Sequence, residues 1–184
     1  MRLFEVTALL LLVVMMSMSH SAAAPTKYLD ELCANPTKCE GINDNGWFPL
    51  GEGRCVKAFN STDLNFENAE KACNQYTSDN NFTAHLVSIH SMKELDQVVC
   101  AMYTVTPRRP PYWIGLNLTY HYENNLIYDW TDGTGYDFDY FAYQQPNFYN
   151  QEQECVEINY NYWGQWNDVN CIYTRPYVCA VKVR

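Results

Sequence analysis

After its first two dozen residues the sequence contains no apolar run near the roughly 20 residues that a membrane-spanning helix needs, and no lipidation or anchor signal. A soluble product is expected. It has no Cys-x-x-Cys pair, and His85, His90 and His121 stand at no ligand-like spacing to any cysteine, which argues against structural zinc. Gly-x-Ser-x-Gly and His-Glu-x-x-His are both missing, and Gly133 and Gly135 lack the spacing of a phosphate-cradling loop. Glu152 and Glu154 form a carboxylate pair, but the polar loop that carries them suggests a shallow binding surface, so no enzymatic activity is expected. Basic residues are scarce: 12 Lys and Arg against 21 Asp and Glu leave a formal charge of −9, which disfavours nucleic acid and anionic membranes as partners.

The first 23 residues have the layout of a secretory signal peptide, with Arg2 as the charged start, an apolar run from Ala8 to Met16 and small residues from Ser21 to Ala24. About 160 residues follow, the length of one domain with a real core. All eight cysteines, Cys33, Cys39, Cys55, Cys73, Cys100, Cys155, Cys171 and Cys179, lie after this segment, and an even count in an exported chain argues for disulfides. Eight cysteines allow 105 connectivities, and arithmetic alone does not choose among them. Sequons at Asn60, Asn81 and Asn117 fit passage through a secretory pathway as a glycoprotein, and each predicts an exposed loop.

Residues 24–38 read as a short polar extension without an element of its own. Thr62 or Asp63 is the N-cap candidate for a first helix in which Phe66, Ala69, Cys73 and Tyr76 recur at helical spacing. A short strand is expected over Ala84 to Ile89. Ser91-Met92-Lys93-Glu94 is a capping box opening a second helix that carries Leu95, Val98, Val99 and Met102 on one face, ended by Pro107 and Pro110. Helical signals then vanish. Tyr112–Leu116, Cys155–Ile158, Gln165–Asn167 and Tyr177–Val181 read as strands between polar connections, with a turn at Asp132-Gly133-Thr134-Gly135. Helices first and strands afterwards make an α+β pattern. Trp113, Trp130 and Trp166 read as core residues, and Asp129, Asp137 and Asp139 as a solvated acidic face beside the turn residue Asp132.

Taken in order, Gly46-Trp47 before Cys55, a helix carrying Cys73, Trp113-Ile114-Gly115-Leu116, Trp130-Thr131-Asp132-Gly133, Gln145-Pro146-Asn147, Cys155, Trp166-Asn167-Asp168 and Cys171 followed by Cys179 resemble the C-type lectin-like domain. The resemblance runs over residues 39–182 and is to secreted, single-domain members of fish and venom type. It implies two helices packed on small, mostly antiparallel sheets, with a long disulfide-clamped loop region. It also implies the pairs Cys73–Cys179, Cys155–Cys171 and Cys39–Cys55. Cys33 and Cys100 are extra to the common pattern; an internal bridge and interchain bridges making a covalent homo-oligomer both remain open.

The same resemblance implies a calcium site, shared with sugar hydroxyls, at Gln145, Asn147, Gln153, Asn167 and Asp168, with a cis bond before Pro146 turning both flanking oxygens toward one ion. This chain departs from the family pattern there. Gln153 replaces the usual glutamate, and Gln145-Pro146-Asn147 mixes the mannose-type and galactose-type motifs. One formal carboxylate, Asp168, stands beside four amides, so weaker calcium binding is expected unless Glu152 or Glu154 turns inward. Phe148, Tyr149, Tyr162 and Trp163 are candidates for an apolar shelf under a sugar face. The expected function is a secreted, calcium-dependent lectin for terminal mannose- or galactose-type sugars on glycans or glycoproteins, in innate defence. The competing expectation, favoured by the lost acids, is a lectin-like domain that has left sugar for a protein, toxin, eggshell mineral or ice-binding role.

Overall fold

The structure, a computed structural model, describes residues 24–34, 37–121 and 125–184; the expected signal segment lies outside them. The chain divides into a unit ending at Asn35 and a unit from Pro36 to Arg184. The first corrects the expectation of a structureless extension, because it contains helix α1, Ala24–Leu32. Pro25 suits a first helical turn, and Tyr28, Leu29 and Leu32 share a helical spacing too short to register as a periodicity.

The second unit contains β1 (Phe48–Leu50), β2 (Arg54–Leu64), α2 (Phe66–Cys73), β3 (His85–Leu86), α3 (Met92–Val105), β4 (Tyr112–His121), β5 (Asn125–Trp130), β6 (Cys155–Ile158), β7 (Trp166–Val169) and β8 (Arg175–Lys182). The strands form one eight-stranded sheet in the order β1-β2-β8-β4-β6-β7, with β3 also on β8 and β5 also on β4. One mixed sheet therefore replaces the several small ones expected. Its parallel pairing joins β4 to β8 at Trp113 and Tyr177, and the other strand pairs are antiparallel. Among the described residues no helix is long and apolar enough to cross a membrane.

Strand β2 runs to Leu64, which pairs with Arg175 beyond a bulge, so Thr62 and Asp63 are strand residues and the α2 N-cap moves to Asn65, whose side chain accepts from Asn68 N. The second cap is where the capping box puts it: Ser91 accepts from Glu94 N, and the Glu94 carboxylate takes the His90 N–H at 2.8 Å. The core gathers Trp47, Phe66, Trp113 and Tyr177, with Phe66 edge-on to Trp113 and the Trp113 indole donating to Leu64 O at 3.1 Å. Trp130 and Trp166 are also buried and meet edge to face.

Disulfides Cys73–Cys179, Cys155–Cys171 and Cys39–Cys55 form as the resemblance implies. Cys33 and Cys100 are disulfide-bonded as well, so no described cysteine is a free thiol. Two of the three sequons depart from the exposed-loop expectation. Asn81 is exposed at a left-handed turn position, whereas Asn60 lies exposed on β2 and Asn117 half-buried in mid β4, opposite Asp129 of β5 and Cys155 of β6.

Gly115 shows why β4 needs a glycine. Its N–H bonds Val87 O and its carbonyl takes the Thr131 N–H, both at 2.9 Å. A Cβ at this position would lie 2.5 Å from Leu86 O and 2.7 Å from Thr131 Oγ1. Gly115→Ala is expected to lower unfolding stability by about 1 to 3 kcal/mol, read from the urea midpoint, because a backbone oxygen must give way.

Candidate functional site

The segment leading into β6 is held at both ends. Upstream, Ala142 N bonds Trp166 O and Trp166 N bonds Tyr140 O, each at 2.9 Å; downstream, Cys155–Cys171 ties β6 to the end of the β7 connection. Between these anchors the Gln145–Pro146 peptide is cis, and Gln144, Phe148, Asn150 and Gln151 all take left-handed backbone angles with φ between 49° and 63°. No glycine occurs between Gly135 and Gly164 to relieve them. Non-glycine residues in this region cost on the order of 1 kcal/mol each, and such strain clusters at ligand clamps.

Asp168 organises the loop. It is fully buried on β7, and its two carboxylate oxygens accept the Asn147 N–H at 3.0 Å and the Phe148 N–H at 2.6 Å. Asn147 Oδ1 and Gln153 Oε1 converge on one donor, Tyr149 N–H, at 3.0 and 2.8 Å. Gln145 Oε1 is buried and has no hydrogen-bond partner. An orphaned acceptor of this kind costs about 1 to 3 kcal/mol unless a ligand, ion or water meets it. Hydrogen bonding thus connects Asn147, Gln153 and Asp168, and Gln145 sits next to Asn147 across Pro146.

Asn167 is placed differently from the shared wall that the resemblance implies. In the β6–β7 register Glu157 faces Asn167 and Val156 faces Asp168, so the Asn167 and Asp168 side chains leave the strand on opposite faces. Asn167 Nδ2 donates to Glu157 Oε1 at 3.0 Å, and Glu157 Oε2 accepts from Arg175 Nε at 2.8 Å. Arg175 in turn lies over the rings of Trp113 and Tyr173. Sequence reasoning missed Glu157 and Arg175. The available signal was an acid between the apolar neighbours of Cys-Val-Glu-Ile, because a buried carboxylate demands a partner.

Of the aromatic candidates, Tyr149 and Tyr162 are exposed, Phe148 is half-buried, and Trp163 packs edge-on against Tyr103 of α3. Trp163 therefore serves the helix contact. Glu152 and Glu154 are both exposed rather than turned inward. No group of three His, Cys, Asp or Glu side chains suited to a metal occurs among the described residues. The donor set is three amide oxygens and one carboxylate. These are hard ligands of the kind calcium takes, with a single formal charge.

A second cluster has distances that suggest catalysis. Thr134 Oγ1 lies 3.1 Å from His90 Nε2, and His90 Nδ1 lies 2.7 Å from Asp137 Oδ1. The Thr134 hydroxyl, however, donates to Asp132 Oδ1 at 2.6 Å, so its one hydrogen is not directed at His90. Asp132 also accepts from Ser88 Oγ at 2.5 Å and lies 3.9 Å from Arg54, whose Nη2 stands 2.7 Å from Glu94 Oε1, an ion pair off the line of a hydrogen bond. Asp132 is thus a turn residue that also enters a half-buried charge network.

Burial opposes ionisation of Asp132, but hydrogen bonds from Ser88 and Thr134 together with the Arg54 charge outweigh it and hold the carboxyl below its ordinary value of 3.8. A depressed carboxylate contributes stability above its unfolded value and loses it on protonation. Melting temperature is therefore expected to hold steady down to about pH 4 and to fall as acid passes below 3.8, and Asp132→Asn should flatten that fall.

Residues 62–181 match the family model described as the lectin C-type domain. Over 137 residues the chain is 32% identical to the galactose-binding isoform of a C-type lectin from Pseudechis porphyriacus, covering 74% of this chain and 81% of the relative. It is 33% identical over 133 residues to the alpha-N-acetylgalactosamine-specific lectin of Patiria pectinifera, covering 71% and 75%. The crystal structure of the C-type lectin CEL-I from Cucumaria echinata superposes with a TM-score of 0.66 at 27% identity, over 77% of this chain and 98% of that one.

Proposed function

Because the chain belongs to the C-type lectin domain family, we propose that it is a secreted, non-enzymatic lectin that binds terminal galactose-type sugars in a calcium-dependent way through residues 145–153 and β7. The observation that carries this reading is the buried, partnerless Gln145 Oε1 beside the converging oxygens of Asn147 and Gln153. In this reading Gln145, Asn147, Gln153 and Asp168 hold the ion, which supplies a positive charge for neighbouring sugar hydroxyls to ligate. Asp168 fixes the loop backbone from β7, and Glu157 holds the nitrogen end of the Asn167 amide, leaving its oxygen turned away from that carboxylate. The motif leaves mannose and galactose undecided. The names of the snake and starfish relatives favour the galactose class.

The oxidised chain lacking residues 1–23 is expected to be retained on immobilised galactose more strongly than on mannose with calcium present, and to elute with a chelator. No retention on either resin, together with a melting temperature indifferent to calcium, would sink this reading. One observation favours the alternative. Asp168, Asn147 and Gln153 already accept hydrogen bonds from the loop backbone, so the loop closes on itself, as suits a lectin-like domain that binds a protein, mineral or ice surface without sugar.

A further inference from the structure

A cleft of about 390 Å³ opens where β2 and β8 pair at Arg54 and Lys182. β4 and β6 stand between β8 and β7 in the sheet, so this cleft is separate from the candidate sugar site. Part of its lining is Asn81-Phe82-Thr83, a complete sequon. All three residues are exposed. Asn81 ends a tight turn with φ at 64°, in which its N–H bonds Ser78 O at 2.9 Å and the Ser78 N–H bonds Phe82 O at 3.0 Å. Of the three sequons this one alone combines an exposed turn with a cleft wall, since Asn60 and Asn117 stand in strands.

The rest of the lining limits what the cleft can hold. Arg54 is matched by Glu94 at 2.7 Å and by Asp132 at 3.9 Å, whereas Lys182 Nζ lies 5.4 Å from the centre of the Phe82 ring. A multiply charged anion would be repelled by Asp132, and a wholly apolar ligand would strand Lys182 and the Thr83 hydroxyl. A pyranose matches the mixture. Its C–H face suits Phe82, which is 40% exposed, and its hydroxyls suit Lys182 and Thr83. A sugar tethered to the cleft wall needs little affinity of its own, because a short tether supplies an effective concentration on the order of millimolar. We propose that Asn81 carries an N-linked glycan whose first N-acetylglucosamine packs into this cleft. The donor is a lipid-linked oligosaccharyl pyrophosphate. A bond forms from Asn81 Nδ2 to C1 of the first sugar as the C1–O bond to the pyrophosphate breaks; the amide gives up a proton and the lipid pyrophosphate leaves. The proposal rests on the secreted part of the reading above and not on its sugar specificity.

The full chain expressed in a eukaryotic cell line tests it. Mass spectrometry of the peptide holding Asn81, before and after enzymatic release, is expected to show a glycan at that residue. The glycosylated chain should melt about 2 to 4 °C above Asn81→Gln from the same cells, the shift that one modest contact produces in a domain of this length. Trimming the glycans of both chains to the first N-acetylglucosamine should leave that difference intact. In Phe82→Ala, compared with and without the Asn81 glycan, the difference should vanish. If Asn81→Gln fails to fold, enzymatic release of the glycan from the folded chain gives the same comparison. A secreted chain with Asn81 bare would overturn the proposal while leaving the lectin reading standing; a chain that never enters the secretory pathway would remove the secreted reading with it. A glycan on Asn81 that leaves the melting temperature unchanged, or a difference that is lost on trimming or survives Phe82→Ala, would overturn the packing of the sugar in the cleft.

Discussion

Asp168→Asn is expected to abolish calcium-dependent sugar retention, with affinity falling at least about a hundredfold, while the domain stays folded. The substitution keeps size and shape, so no cavity forms. It removes the one formal charge among the donor residues and replaces one of two acceptors with an NH2 group. Whichever way the asparagine turns, either the Asn147 N–H or the Phe148 N–H faces a donor, because in the native chain both are held by the carboxylate. An unpaired buried donor costs about 1 to 3 kcal/mol, so a modest drop in melting temperature should accompany the loss of binding. Retention equal to that of the unsubstituted chain would show that the sugar is held elsewhere. A fully unfolded variant would mean that Asp168 serves the framework more than the loop.

Simultaneous replacement of Cys73 and Cys179 by serine is expected to cost the most stability of any change considered. The bridge joins α2 to the middle of β8 across a sequence separation of 106 residues, and closing so long a loop in the unfolded chain is worth about 4 to 5 kcal/mol. Domains of this size hold about 5 to 15 kcal/mol in all, so the variant should lose from about a third to nearly all of its stability. The Cys155–Cys171 bridge spans a separation of 16 and should cost about 3 kcal/mol when removed. Urea unfolding of the two variants separates the cases. The first should show the larger fall in urea midpoint, whereas the second should fall less and lose sugar binding. Equal midpoints would argue that loop length does not set the stabilisation here.

The sequence disclosed the framework well where one residue reports on its own neighbourhood. The Ser91 cap, the β6 strand at Cys155–Ile158 and the buried tryptophans follow from local pattern. It was less informative where two distant segments decide together. β2 carries the polar residues Thr62 and Asp63, which read as a helix start until Arg175 pairs with Leu64 across the bulge. The half-buried position of Asn117 arises because two strands flank β4. The residue identities of the candidate site were legible, but the face each one occupies was not. Only the register that sets Glu157 opposite Asn167 reveals that neighbouring residues of one motif point to opposite sides of a strand.

The loop from Gln145 to Gln153 is fastened by backbone bonds at Trp166 and by the Cys155–Cys171 bridge, and neither fastening involves the side chains between them. Substitutions at the exposed positions of the segment, such as Tyr149 and Glu152, therefore leave both fastenings in place, and new side chains can be tried there without compensating changes in the framework. The sheet answers to packing, whereas the loop answers to whatever surface it meets.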